Sequence, residues 1–357
     1  MNALTKHKPH SDPNHNENHN MKLSSLKYVF SISLLALVAS LCGCGGNTGD
    51  NASNDGAGSE KAYRFAVIPK GTSHEFWKSV HAGALKAADE SGDVEILWKG
   101  PETENDTAGQ ISVVRNFITN QVDGICLAPN HAEALVDVTA EAAAANIPVV
   151  IFDSGLSEGA DFLSYVATDN KRGGVLAGEC LAEAIGHKGK VIMLRYKEGS
   201  QSTEQREDGF LEAMAKESDI EIISSDQYAG TTTQEAMQKA TQLLNKYRDE
   251  VNGIFAVCEP NCNGTLEALI QTGLASKVKF VAFDPSDRLI AGLSDGSVSG
   301  IVLQDPFQMG YQSVKTLLQS LSGETVEDYV STGEHVATPE NKDTEEFVKL
   351  LRPEIAE

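Results

Sequence analysis

From Tyr63 onward the chain alternates two kinds of pattern: short apolar runs, and longer stretches in which apolar residues return every three or four positions. The runs YRFAVIP (63–69), VEILW (94–98), GICLA (124–128) and PVVIF (148–152) read as strands. Their continuous apolar character suits strands covered on both faces, as in a parallel sheet. Between them, Phe76, Val80, Ala84 and Ala87 share one helix face, and Ile111, Val114, Phe117 and Ile118 share another. Residues 135–145 supply a third helix, and Thr72 and Ser73 offer hydroxyl caps to the first. A second series has strands FLSYVA (162–167), KVIML (190–194), IEIISS (220–225), GIFAV (253–257), KFVAF (279–283) and SGIVLQ (299–304). Its helices start near Lys171, Thr203, Thr233, Asn261 and Ser286, and a last one runs over 307–320. The alternation predicts an α/β protein. Ten or so strands are too many for one compact unit of this length, so two doubly wound parallel-sheet lobes are expected.

Upstream of this pattern the chain changes character. Residues 22–27 form a short basic stretch and 28–41 an apolar one, too short to span a bilayer, so 21–43 reads as a secretory signal. It ends in Leu41-Cys42-Gly43-Cys44, which resembles a bacterial lipobox and implies lipid on Cys44 after cleavage before it. Cys42 suits this role less, because bulky Leu41 precedes it. Residues 1–20, rich in Asn and His, read as an upstream extension, with translation starting at Met21. The Gly/Ser/Asn/Asp-rich stretch 44–61 cannot bury a core and reads as a flexible tether.

Composition narrows the classes. The 357 residues suggest about two domains, and 41% apolar with 22% charged residues excludes a polytopic membrane protein and a largely disordered chain. A net charge of -22 repels phosphate backbones, so nucleic acid is not an expected partner. Cys126 and Cys180 lie in apolar stretches and read as core residues. Cys258 and Cys262, four apart in CEPNC, leave a disulfide open; zinc is disfavoured because no second ligand pair follows at finger-like spacing.

Doubly wound folds bind ligands at the carboxyl ends of their strands, so residues just after each strand carry the candidate chemistry. After the first strand, Phe76 and Trp77 stand side by side at a helix start. Successive helical side chains diverge, so one can face the core and the other a cleft. Aromatic faces suit the C–H face of a sugar ring. Asp153-Ser154 follows the fourth strand, Asp284 follows KFVAF, and Gln304 ends SGIVLQ. Each aspartate can equally cap the next turn; together with Gln304 they form a set of hydroxyl acceptors and donors. Arg206, before Glu207-Asp208, reads either as a forked donor or as a surface ion pair.

The stretches AVIPKGTSHEFWKSVHAGALKAADESG (66–92), IPVVIFDS (147–154), SYVATDNKRGGVLAGECLA (164–182), EQREDGF (204–210), FVAFDPSD (280–287) and GIVLQDPFQMG (300–310) together resemble the type I periplasmic binding proteins of the ribose/galactose group, the substrate-binding lipoproteins of ABC sugar transporters. The resemblance covers about 62–351. It implies two lobes joined by three crossovers near 167–169, 303–305 and 330–335. The N-terminal lobe would be 62–168 plus 305–333 and the C-terminal lobe 169–304 plus 334–351. Carried over position by position, the sugar contacts would fall on Lys70, His74, Phe76, Trp77, Asp153, Ser154, Arg206, Cys258, Asp284 and Gln304. The aromatics would sandwich or flank the ring, Asp153 would accept from hydroxyls, and Arg206 would donate. Ser154 stands where ribose-type members carry Arg, Cys258 where they carry Asn, Lys70 for a small polar residue, and Thr231 at an aromatic position. D-ribose is thereby disfavoured, and another sugar, a polyol or an anionic ligand would suit Lys70. Asp169 and Asn170 would be structural residues near a crossover.

The resemblance implies an exported, lipid-anchored solute receptor that feeds an ABC permease and works as a monomer, with no cofactor and no metal. The same fold can report ligand status to a chemotaxis, sensor-kinase or quorum-sensing system. An enzyme is not expected: no nucleophile elbow, HExxH or P-loop occurs, and Asp153 with Asp284 is a poor glycosidase pair. A sugar-responsive transcription regulator shares the fold, but the export signal and the lack of N-terminal DNA-binding helices argue against it.

Overall fold

The computed structural model describes residues 63–356. The chain begins with β1 (Tyr63–Ile68), α1 (Glu75–Ser91), β2 (Val94–Trp98), α2 (Thr107–Thr119), β3 (Gly124–Leu127), α3 (Val136–Ala144), β4 (Val149–Phe152) and β5 (Ser164–Ala167). It continues through α4 (Asn170–Ala184), β6 (Gly189–Arg195), α5 (Gln201–Met214), β7 (Ile220–Tyr228), α6 (Thr233–Lys246), β8 (Gly253–Ala256), α7 (Glu259–Thr272), β9 (Lys279–Phe283) and α8 (Asp287–Asp295). It closes with β10 (Gly300–Leu303), α9 (Pro306–Leu321), β11 (Tyr329–Ser331), β12 (His335–Ala337) and α10 (Glu345–Leu351).

These strands make two sheets, ordered β11-β5-β4-β3-β1-β2 and β12-β10-β9-β8-β6-β7. All pairings are parallel except the antiparallel β10–β12 edge. The expected fold class, two doubly wound lobes, is therefore present. The chain passes between sheets three times: between β5 and α4, between β10 and α9, and between β11 and β12. β5, which opened the second series in the sequence pattern, pairs with β4 in the first sheet. The loop between β4 and β5 carries no helix, so the alternation breaks there.

Continuous apolar strands work as the pattern anticipates. Along β1, Phe65 and Val67 pack into the cluster on one face of the first sheet, while Ala66 and Ile68 pack into the cluster on the other. A third cluster fills the second lobe. β11, β12 and α10 have no counterpart in the sequence reading. Thr72 and Ser73 do not cap α1: His74 holds the N-cap position without a side-chain bond. The free N–H of Phe76 instead donates to Glu259 Oε2 at 3.3 Å, a carboxylate of the other lobe placed at a helix N-terminus.

Helices α4 and α5 pack backbone to backbone, which fixes Arg206. A Cβ on Gly174 would lie 2.0 Å from the carbonyl oxygen of Arg206, and one on Gly209 would lie 2.0 Å from that of Lys171. Only glycine permits this approach. Among the described residues no helix is long and apolar enough to cross a membrane. The expected upstream extension (1–20), signal segment (21–43), tether (44–61) and lipidation site Cys44 lie outside the described residues.

Gly174→Ala should force these helices apart and destabilise the protein by about 1–3 kcal/mol. Urea denaturation reads this directly; an unmoved midpoint would show that the close approach is not needed.

Candidate functional site

Asp153 and Asp284 follow β4 and β9, the corresponding strands of the two sheets. Both occupy the left-handed region, with φ of 61° and 70°. Asp tolerates this conformation better than most residues, yet such backbone persists only where its surroundings enforce it. Here the neighbouring strands do so. Asp153 N–H donates to Val166 O at 3.1 Å, and Asp284 N–H to Val302 O at 2.9 Å. The Asp153 carbonyl also accepts from Tyr165 Oη at 3.2 Å and from Asn170 Nδ2 at 3.3 Å. Both carboxylates line one cavity between the lobes.

From the first lobe, Lys70, 3% exposed, reaches this cavity from the end of β1. Its Nζ lies 2.7 Å from Asp153 Oδ2 and donates to Ser202 Oγ at 2.9 Å. The ammonium is therefore neutralised by its own lobe, which removes the sequence argument that Lys70 calls for an anionic ligand. His74 Nδ1 sits 3.0 Å from Glu104 Oε1, which also accepts from Trp77 Nε1 at 2.8 Å. Glu104 Oε2 accepts from Tyr196 Oη of the second lobe at 2.7 Å. Burial opposes the Glu104 charge, but hydrogen bonds from His74 and Tyr196 and the charges of His74 and Lys70 prevail and hold it down at about 2. Burial likewise works against the charge on His74, and its bond to Glu104 overcomes this and raises it.

Phe76 is half-buried and Trp77 fully buried. Their rings meet edge to face, 4.9 Å apart at 89°, and Trp77 also abuts Phe152 at 6.3 Å. One presents a face where the other presents an edge, so they are not parallel walls around one ring.

From the second lobe, Arg206 is 2% exposed, on the second turn of α5 rather than on the surface. Its Nε donates to Asn170 Oδ1 at 2.8 Å and its Nη1 to Val257 O at 3.0 Å. The guanidinium lies 3.9 Å over the Phe283 ring and 3.7 Å from Asp284 Oδ2. Burial raises the Asp284 carboxyl against the pull of Arg206. Gln304 Nε2 donates to Asp284 Oδ1 at 2.7 Å, while Gln304 Oε1, fully buried, has no protein partner. Cys258 adds a thiol to the wall; burial raises its pKa well above the ordinary range, so it is no nucleophile. Cys258 and Cys262 are both free thiols, and Cys262 Sγ bonds to Ala256 O and Phe283 O.

The structure thus gathers Lys70, His74, Phe76, Trp77, Asp153, Arg206, Cys258, Asp284 and Gln304 around one cavity. Ser154 is not on its wall: it is fully buried and accepts from Ser202 N–H at 3.1 Å. Thr231 is also off the wall, bonded to Asn105 Oδ1 at 3.0 Å. Glu104, Tyr196, Ser202 and Glu259 line the site without having been anticipated. Tyr196 and Glu259 closely follow β6 and β8, so the strand-end rule could have found them. Glu259 is pushed up by burial to about 7, and in its protonated form it can donate as well as accept. As the side chains stand, the cavity is about 40 Å³, well below the roughly 150 Å³ that admits a benzene ring.

Residues 65–325 match the periplasmic binding protein domain model. The chain belongs to that family. Curated relatives include the ribose import binding protein of Escherichia coli K12, 28% identical over 263 residues, covering 74% of this chain and 86% of that protein. The xylitol-binding protein of Mycolicibacterium smegmatis is 25% identical over 276 residues, covering 73% and 77%. Among solved structures, an ABC transporter solute binding protein from Agrobacterium vitis with bound D-fucose superposes with a TM-score of 0.78 at 34% identity, covering 81% of this chain and all of that one. A carbohydrate transporter solute binding protein from Agrobacterium radiobacter, in complex with D-arabinose, gives 0.78 at 32% identity, covering 82% and 99%. These relatives are named as binding proteins, three of them of import or transport systems, and none of the four carries an enzyme's name.

Glu104→Gln tests the cluster around His74. The folded-state value of Glu104 lies below the ordinary 4.5, so its stabilisation is complete above that pH and is lost as pH falls toward about 2. Denaturation between pH 5 and 2 should show the unmodified protein losing on the order of 3 kcal/mol that the variant does not lose. Parallel curves would mean that Glu104 is not held as a paired carboxylate.

Proposed function

We propose that this protein is an exported, lipid-anchored receptor that captures a neutral sugar or polyol between its lobes and delivers it to an ABC importer, acting as a monomer. The observation that carries the reading is the pair of strand-end aspartates, one per lobe, facing one cavity beside Arg206 and the unpartnered Gln304 Oε1. Vicinal hydroxyls both donate and accept, and such a wall offers them carboxylate acceptors, a forked donor and an amide. Lys70 against Asp153 and Arg206 against Asp284 leave little net charge for an anionic ligand to neutralise. The relatives' ligands, ribose, xylitol, D-fucose and D-arabinose, are likewise neutral polyhydroxyl compounds. Phe76 presents an aromatic surface for an apolar C–H face. Anchoring through Cys44 rests on the lipobox-like LCGC, and a sugar bound between lobes would favour their closed arrangement by differential contact.

A thermal-shift screen of the purified protein against pentoses, hexoses, polyols and sugar phosphates tests the ligand class. Neutral sugars or polyols should raise the melting temperature and sugar phosphates should not. A shift confined to phosphorylated sugars would overturn the neutral-ligand reading. Asp284→Asn, which keeps a residue tolerant of the left-handed backbone, should weaken the responding sugar about 10- to 100-fold by calorimetry. Its own melting temperature should fall as well, because buried Arg206 is left without its counter-charge, so affinity is compared at a temperature where the variant is folded. Unchanged affinity would remove Asp284 from the site. Cys44→Ala should abolish labelling by radioactive palmitate in the source cell; persistent labelling would relocate the anchor.

A further inference from the structure

A second, larger cavity of about 210 Å³ adjoins the first and shares four of its walls: Phe76, Glu259, Asp284 and Gln304. Nothing in the sugar-receptor reading uses it. Its remaining lining is mostly apolar, with Pro285 and Ile290 on one side and Leu351, Pro353 and Ile355 on the other. That second side is the C-terminal tail, which lies beyond the residues 65–325 that carry the family match. The tail is fastened at both ends. Leu351 is buried in the second-lobe core, and Arg352 Nη1 pairs with Asp287 Oδ1 at 3.1 Å. Ala356 N–H then donates to Lys78 O on α1 of the first lobe at 3.1 Å. The tail is thus a strap that runs from the second lobe to the first along one side of this cavity.

The space exceeds the roughly 150 Å³ that suffices for a benzene ring, whereas the adjoining polar cavity is far smaller. The buried ions Lys70, Asp153, Glu104 and Arg206 line only the first cavity, and beside it opens a chamber able to hold a second ring, walled equally by apolar and polar residues. The fully buried Gln304 Oε1, without a protein partner, stands on the wall common to both. Exposed Glu75 and Asp287 make the rim acidic, and its cation Arg352 is already paired, so an anionic substituent is disfavoured.

We infer that the ligand is a glycoside, with its sugar in the polar cavity and an uncharged second ring, a sugar or an aromatic aglycone, under the C-terminal strap. This rests on the receptor reading above. Calorimetry with free D-ribose, D-galactose and D-fucose and with the phenyl glycoside of each tests it on the full chain. At least one phenyl glycoside should bind tenfold or more tighter than its free sugar. Ile290→Trp, which fills the second cavity without touching the first, should remove that gain and leave the free sugar within twofold. Ile355→Asp, at an exposed position where folding is not at stake, should also reduce the gain. Equal affinity for sugar and glycoside, or variants that leave the glycoside untouched, would overturn the inference while the receptor reading stands. Loss of the free sugar in Ile290→Trp would overturn it too, by placing the sugar itself in the larger chamber. Failure of every sugar and glycoside to bind the unmodified protein would defeat the inference together with the receptor reading.

Discussion

The structure depends on how it neutralises buried charge. Lys70, Asp153, Glu104, Arg206 and Asp284 are all nearly inaccessible to water. An unpaired charge in such a place costs several kcal/mol. Each finds its counter-charge within its own lobe: Lys70 with Asp153 and His74 with Glu104 in the first, Arg206 with Asp284 in the second. The bonds that cross the cleft are of another kind. Lys70 to Ser202, Tyr196 to Glu104 and the Phe76 amide to Glu259 each involve at most one ion, and water can replace the lost partner. Separating the lobes therefore breaks single hydrogen bonds and strands no ion without its partner. A typical hydrogen bond is worth about 1 kcal/mol net, and others join the lobes as well, among them Ser202 N–H to Ser154 Oγ, Lys197 Nζ to Asn130 O, Ala132 N–H to Gly199 O and Thr231 Oγ1 to Asn105 Oδ1. This arrangement of the lobes is thus held by many small contributions and, among the described residues, by no ion pair between them.

The same arrangement places selectivity in geometry more than in charge. The left-handed backbone at Asp153 and Asp284 turns each chain sharply at its strand end, with the carboxylate on the cavity wall. Neighbouring strands hold both turns through main-chain bonds, so the aspartates are placed before any ligand arrives. Arg206 is similarly fixed, by Asn170, by the Val257 carbonyl, by the Phe283 ring and by glycine contacts that set α5 on α4. Binding then costs little ordering of the protein's own side chains.

Much of this was legible because buried parallel strands advertise themselves as unbroken apolar runs. KFVAF and VEILW coincide with β9 and β2, and the helix at Thr233 begins where its Thr232–Glu235 capping box places it. The strand-end rule then reached Phe76, Trp77, Asp153, Asp284 and Gln304 on the wall, while Lys70, His74 and Cys258 came from the family resemblance. β11 and β12 escaped because three-residue edge strands carry no periodicity of their own; they exist through pairing with β5 and β10. Thr72 and Ser73 look like caps, but the N-terminus of α1 is satisfied from the other lobe by Glu259, a partner that lies 183 residues away and is invisible to local pattern. Glu104 was missed because β2 is an edge strand and its trailing loop, PETEND, reads as solvated turn. Only the fold turns that acid inward to meet His74, Trp77 and Tyr196.

Glu259 connects these strands of the argument. It lies on the wall common to both cavities and accepts the Phe76 amide in the first turn of α1, so it joins the lobes at that shared wall. Burial raises it to about 7, and this cost falls on the arrangement that buries it. A carboxyl with a raised value favours the state in which it is protonated: the contribution is complete below about 4.5 and fades as pH rises through about 7. If parting the lobes rehydrates Glu259, closure must weaken over that same interval. A ligand hydroxyl donating to the carboxylate would offset part of the loss, because a bonded anion is cheaper to bury than a bare one. The residue that makes closure costly at neutral pH would then also make a hydroxyl-bearing ligand the means of recovering it.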